Sequence, residues 1–182
     1  MMMFRNELTG KLFDDVDIIT IDYPGYGKSS GEPSQNAFYE MADALIQYTE
    51  TLTNYDRRYV MGYSIGTGVA VYTAAQSKWD GLILSAPYDN MINVINGFLP
   101  IFKGPFARFV KNPFPSDSYA GQIEERTLIF CSKSDEVIDI ELSRNLFEAI
   151  GSEKEIIEFE DYFHSEMASN ETMMKKIAAF IR

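Results

Sequence analysis

The 182 residues read as a single α/β domain spanning 1–182, with a mostly parallel sheet of about five strands flanked by helices. Three features carry that reading. Short, nearly continuous apolar runs alternate with amphipathic stretches, the pattern of a parallel sheet covered on both faces. Gly, Pro and capping residues separate the runs. No repeat, low-complexity segment or linker divides the chain, and its length suits one domain with a full core.

The elements follow in chain order. Residues 17–22 (DIITID) are a β-branched run that stops at Pro24-Gly25, and they are expected to form the first buried strand. Ser34 stands where an N-cap belongs. Phe38, Met41, Leu45, Tyr48 and Leu52 follow at helical spacing, so 35–53 is expected to be a helix packed through that face. Residues 59–62 read as a second strand and 65–76 as a small-residue helix suited to close packing on a sheet. Strands are expected at 82–85 and 127–131. Residues 140–150 read as a helix closed by Gly151 just past its C-cap. Residues 155–159 supply the fifth strand and 170–181 the last helix.

Residues 87–126 break the alternation. They hold most of the prolines and a series of apolar residues that includes Met91, Ile95, Phe98, Ile101, Phe106 and Phe109. The stretch is too long for a simple connection. It is expected to be a small cap inserted over a site, rather than a helical excursion that only packs on the core, because it falls beside the chemistry described next.

Composition narrows the function. The chain is 46% hydrophobic and 24% charged, which is globular rather than disordered. Sixteen Lys and Arg against 27 Asp and Glu leave a net charge of −11. That balance argues against a phosphate backbone, so no nucleic-acid partner is expected. No apolar run approaches the roughly 18 residues of a membrane span, and the start (MMMFRNELTG) lacks the pattern of a secretory signal. A cytoplasmic protein is the expectation. One Cys and one His leave no internal disulfide and no Cys/His metal cluster, so no metal site is expected. The aromatic content, 14%, leaves room for an apolar pocket.

The strongest chemical signal is Gly62-Tyr63-Ser64-Ile65-Gly66, a G-x-S-x-G pattern between a predicted strand and a predicted helix. A serine on so sharp a turn takes strained backbone angles, and side chains two residues to either side would collide. The turn lifts the hydroxyl clear of the sheet. It also aims the next helix's N-terminus at the place where negative charge would develop. A serine hydroxyl needs a base to take its proton, and His164 is the one imidazole. It follows the fifth predicted strand, at the sheet edge where open α/β folds place their sites. Asp135, just past the fourth strand, is the candidate carboxylate to orient it, with Glu136 and Asp139 as rivals. The chain order Ser64, Asp135, His164 is itself discriminating, since other serine hydrolase folds use other orders.

Residues 22–31 (DYPGYGKSSG) invite two nucleotide readings, and both fail on spacing. A P-loop needs glycine at position 22, which is Asp, and a dinucleotide fingerprint needs glycine at 30, which is Ser. The segment reads instead as a tight turn leaving a strand toward the site edge, with Tyr23 a candidate oxyanion or substrate-binding residue. Cys131 lies in an apolar run and reads as core. Asn170-Glu171-Thr172 fits a glycosylation sequon, which without a secretion signal carries no weight.

These segments together resemble the α/β-hydrolase superfamily, nearest to the serine-aminopeptidase-like or abhydrolase-domain branch. The carrying stretches are IDYPGYGKSSG at 21–31, GYSIG at 62–66, SAPYDN at 85–90, CSKSDEVI at 131–138 and the His164 segment. The resemblance implies Ser64 as nucleophile, His164 as base, Asp135 as acid and the Ile65 N–H as one oxyanion donor. It implies a small-molecule carboxylic ester or thioester as substrate and no cofactor, with oligomeric state left open. A peptidase is the weaker alternative. The family pattern opens with three further strands and a His-Gly loop carrying the second oxyanion donor, and nothing before residue 14 matches them. The fold is therefore expected to be an N-terminally truncated one, with 1–14 as the tail of a helix. Such a chain is expected to lose about 100- to 1000-fold in rate, and the alternative is a catalytically impaired fragment or a non-enzymatic binding homologue.

Overall fold

The computed structural model describes residues 15–182, so the expectation for residues 1–14 lies outside the described residues. The sheet has four parallel strands among these residues: β1 (Tyr59–Tyr63), β2 (Gly81–Ser85), β3 (Thr127–Ser132) and β4 (Lys154–Phe159), in the spatial order β1-β2-β3-β4. Every residue of β2 and β3 is buried, which is why their sequences run apolar without alternation.

Among the described residues six α-helices flank the sheet: α1 (Gln35–Glu50), α2 (Ile65–Gln76), α3 (Met91–Phe98), α4 (Ser116–Ala120), α5 (Ile140–Ala149) and α6 (Glu171–Phe180). The pleat sends alternate side chains to opposite faces. Leu82, Leu84 and Ile129 join Ala70, Val71 and Ala74 of α2 and Leu146 of α5. Ile83, Leu128 and Phe130 join Met173, Met174 and Ile177 of α6. Packed this way, the layers hold the strand ends in fixed register, with Tyr63 beside Ser85 and Ser85 beside Phe130.

Two expectations are corrected. Residues 16–22 form no regular element and join no strand, so the described sheet has four strands rather than about five. Residues 15–20 are exposed, with Ile18 and Ile19 at 36% and 47%. Their tethers are side-chain contacts, the Tyr55 hydroxyl donating to the Asp17 carboxylate and Arg182 near Asp15. A β-branched run becomes a strand only when a neighbour completes its ladder, and β1 pairs with β2 alone among the described strands.

The buried face of α1 is also rotated from the expected one. Phe38, Tyr39, Ala42, Ile46 and Thr49 are buried, while Tyr48 is 54% exposed. Tyr39 stacks flat on Tyr72 of α2, ring centroids 3.8 Å apart, and that contact sets the rotation. The helix begins as expected, with the Ser34 hydroxyl accepting from the Ala37 N–H, and it ends at Glu50, three residues early. At the end of α5, Gly151 stands just past the Ile150 C-cap as expected, though without a left-handed φ. The Lys154 ammonium donates to the carbonyls of Phe147 and Ile150 (2.6 and 2.7 Å), satisfying the helix end without a glycine turn.

Residues 87–126 hold α3, a 3-10 turn at Gly104–Phe109 and α4. Asp89 pins the segment's entry, accepting from the amides of Asn93 on α3 and Asn145 on α5.

Candidate active site

Three loops leave the C-terminal edge of the sheet and bring three side chains together. Ser64 follows β1 directly and caps α2. Its φ of 52° is a left-handed value that costs a non-glycine residue strain. Three bonds hold it there: its N–H donates to the Ser85 carbonyl, and the Thr67 N–H and hydroxyl both donate to its carbonyl. A Cβ on Gly62 would stand 2.5 Å from the Gly66 carbonyl oxygen, so the turn closes only with glycine there. Gly66 is constrained differently. A Cβ there would lie 3.1 Å from the Tyr23 hydroxyl, so this glycine makes room for Tyr23 rather than for the serine.

His164 opens the turn after β4. Its Nε2 is 2.8 Å from the Ser64 Oγ, and its Nδ1 is 2.8 Å and 3.0 Å from the two Asp135 carboxylate oxygens. A carboxylate accepts and does not donate. Nδ1 therefore carries the proton, and Nε2 offers its lone pair to the serine hydroxyl. Asp135 sits in the loop after β3, its side chain 2% exposed. The N–H groups of Val137 and Ile138 donate to its Oδ1, which fixes the carboxylate's plane.

The two rival carboxylates have other tasks. Glu136 accepts the backbone N–H of His164 at 2.8 Å. Asp139 caps α5 by accepting the Glu141 N–H. Ile65 is the first residue of α2, where a backbone N–H has no intrahelical partner, and it lies next to the serine. Tyr23 stacks on Phe38 (4.5 Å between centroids), and burial pushes its phenol up to about 12. Beside Asp135 opens a cavity of about 400 Å³ lined by Asn93, Val94, Gly97 and Phe98 on one wall and Glu136, Val137 and Ile140 on the other.

Tyr63 was not singled out by sequence. Its ring stacks on the imidazole of His164 (5.2 Å, 26° between planes), and its hydroxyl donates to the His164 carbonyl at 2.6 Å. The sequence carries no signal for it, because the first variable position of G-x-S-x-G has no chemistry of its own until the fold sets His164 against it.

The remaining motifs resolve as structure. In the 22–31 turn the Asp22 carboxylate accepts the Lys28 N–H and fills the space a Cβ on Gly27 would need, so the loop is closed on itself. Asn170 is buried and caps α6 through the Met173 N–H. Among the described residues no group of His, Cys, Asp and Glu side chains could hold a metal ion, and no helix is long and apolar enough to cross a membrane.

Residues 3–120 match the family described as alpha/beta hydrolase fold. The chain belongs to that family. Among its relatives is lysophosphatidylserine lipase ABHD12 of Danio rerio, 26% identical over 155 residues, which are 76% of this chain and 41% of the relative. Among solved structures, MenH from S. aureus superposes with a TM-score of 0.71 at 17% identity, covering 98% of this chain and 87% of the other. The esterase EaEST from Exiguobacterium antarcticum gives 0.69 at 19% identity over 98% and 86%. The chain spans 41% to 60% of the length of the first curated relatives it matches.

Proposed function

We propose that this α/β hydrolase cleaves carboxylic esters or thioesters through a Ser64–His164–Asp135 triad and an acyl-enzyme intermediate. The observation that carries the reading is the double engagement of His164, with Ser64 on one ring nitrogen and Asp135 on the other. Family membership supports it, and so does the lipase named among the relatives.

In the first step the Ser64 Oγ attacks the acyl carbon as its proton passes to His164 Nε2. Asp135 stabilises the imidazolium and keeps Nδ1 protonated. The Ile65 N–H, at the positive end of α2, stabilises the oxyanion, and Tyr23 can contact the substrate from its place beside Gly66. The imidazolium returns its proton to the leaving alcohol or thiol as the acyl–Ser64 ester forms. Water then gives its proton to His164 and adds to the acyl carbon. Collapse of that intermediate frees the acid and restores the Ser64 hydroxyl. The cavity beside Asp135, with α3 as one wall, supports reading 87–126 as a cap over the acyl site.

A fluorophosphonate probe tests this directly. Covalent labelling at Ser64 that disappears in Ser64→Ala is the expected result. A chain that stays unlabelled, or labelling that survives the substitution, overturns the reading.

A further inference from the structure

The cap segment has a surface that the hydrolytic reading does not use. Phe98, Leu99, Ile101, Phe106 and Phe109 fall within twelve consecutive positions, 98–109, and each is at least half exposed, from 51% to 66%. The rings of Phe106 and Phe109 lie together, with centroids 6.3 Å apart. A polar clamp shapes the segment: the Asn96 side chain accepts the Phe102 N–H and donates to the Phe102 carbonyl. That clamp ties the chain back to α3 and leaves the neighbouring apolar side chains outward. Scattered exposed apolar residues are ordinary, but five in one short segment mark an interaction surface.

Charge identifies the occupant. The chain carries 27 acidic residues and a net charge of −11, yet positions 90–116 contain no Asp or Glu. The charged residues in that stretch are Lys103, Arg108 and Lys111, all exposed. The Arg108 guanidinium lies 5.1 Å from the centre of the Phe109 ring, so cation and apolar group share one patch. Exposed aromatic rings interleaved with cations are the chemistry that seats a protein on an anionic lipid surface, with rings among the acyl chains and cations at the headgroups. The rest of the molecule is acidic, but its repulsion is screened beyond about 8 Å in physiological salt. The contrast in charge between this segment and the acidic remainder favours an approach with the segment toward a negative surface.

We infer that residues 98–111 form a docking face for anionic phospholipid bilayers. Phe98 belongs both to this face and to the cavity beside Asp135, so docking sets that cavity's rim against the lipid. The inference goes beyond the proposed hydrolysis and does not need it, because lipid binding requires no turnover.

The test is flotation of the full chain with vesicles of phosphatidylcholine alone and with vesicles in which a third of the lipid is phosphatidylserine. Binding to the anionic vesicles and not to the neutral ones, lost as salt is raised, is the expected result. Neutralising Lys103, Arg108 and Lys111 together to Gln should weaken binding on the order of a hundredfold, about fivefold for each charge. Phe106→Ser with Phe109→Ser should weaken it roughly tenfold or more. All five positions are exposed, and unchanged circular dichroism verifies that each variant is folded. Equal binding to both vesicles, no binding, or binding indifferent to the cations overturns the inference. So does a lipid-free dimer that the Phe106/Phe109 variant dissociates, because a second copy would then be the occupant. Fluorophosphonate labelling of the same sample without vesicles reports the hydrolytic site separately, so either idea can fail alone.

Discussion

The Ser64 Oγ and the His164 Nε2 meet at 2.8 Å although 100 positions separate them in the chain. The sheet makes that possible. β1 and β4 run parallel at opposite ends of the four strands, so both chains emerge at one edge. The loop after β3 supplies Asp135 from between them. The packed layers on both faces fix the strand ends, so the hydroxyl, ring and carboxylate meet without relying on a flexible loop to gather them.

Ser64 carries the strain of its turn, which predicts a difference between two substitutions that both delete the hydroxyl. Ser64→Gly relieves a φ of 52°, whereas Ser64→Ala keeps it. Neither variant should hydrolyse ester. The glycine variant should be the more stable of the two by about 1 kcal/mol, read from the midpoints of urea unfolding. Equal midpoints would show that the turn stores no strain.

Two neighbouring carboxylates should separate cleanly by kinetics. Asp135→Asn keeps the shape but can donate to Nδ1, which favours the wrong tautomer, so kcat should fall roughly 10⁴-fold. Glu136→Gln keeps an oxygen that can accept the His164 N–H, so the loss should be under about tenfold. Steady-state rates on a chromogenic short-chain ester decide it, with similar losses in both counting against the assignment of Asp135.

Much of this site could be read from residue order, because a parallel sheet converts "just past a strand" into "at one edge". Ser64, Asp135 and His164 each follow an apolar run, and the layered packing does the rest. What escaped the reading depended on tertiary partners. The 17–22 run has strand-forming residues, but no strand among the described residues completes its ladder. The rotation of α1 comes from the Tyr39–Tyr72 stack, a contact between helices that no periodicity within α1 encodes. Lys154 replaces the glycine turn at the end of α5 from a position outside that helix. Tyr63 is illegible in the sequence for a related reason. A variable position in a motif carries no chemistry until one sees which ring lies across from it.

Tyr63 should act as a positioning residue. Tyr63→Phe keeps the stack on the imidazole and removes the hydrogen bond to the His164 carbonyl, a loss of about 1 kcal/mol. kcat should drop several-fold with KM unchanged, because the ring of His164 is less well held while substrate contacts stay. Burial, with the charges of Asp135 and Glu136, pushes the phenol up to about 12. The hydroxyl therefore stays protonated past about pH 10, where a free tyrosine ionises. The ratio of wild-type to variant rate should stay flat over that range. A ratio that collapses toward one near pH 10 would assign the effect to an ordinary surface tyrosine.

Cys131 provides the last test, of the core itself. It lies in β3, 2% exposed, and burial pushes its thiol up to about 12. At pH 8 the thiol of the folded chain stays protonated, and the thiolate is the reactive form. An aromatic disulfide reagent should therefore leave the native protein unmodified and titrate one thiol in urea. The same shift carries a pH dependence with a definite sign. The folded value is raised, so the folded state holds its proton after the unfolded chain has lost it. The contribution is complete below the unfolded thiol's value of about 8.5 and is lost as pH rises from there through about 12. Unfolding midpoints should thus fall more steeply in alkaline solution for the wild type than for Cys131→Ala. Parallel pH profiles, or rapid modification of the native thiol, would place Cys131 outside a well-packed strand.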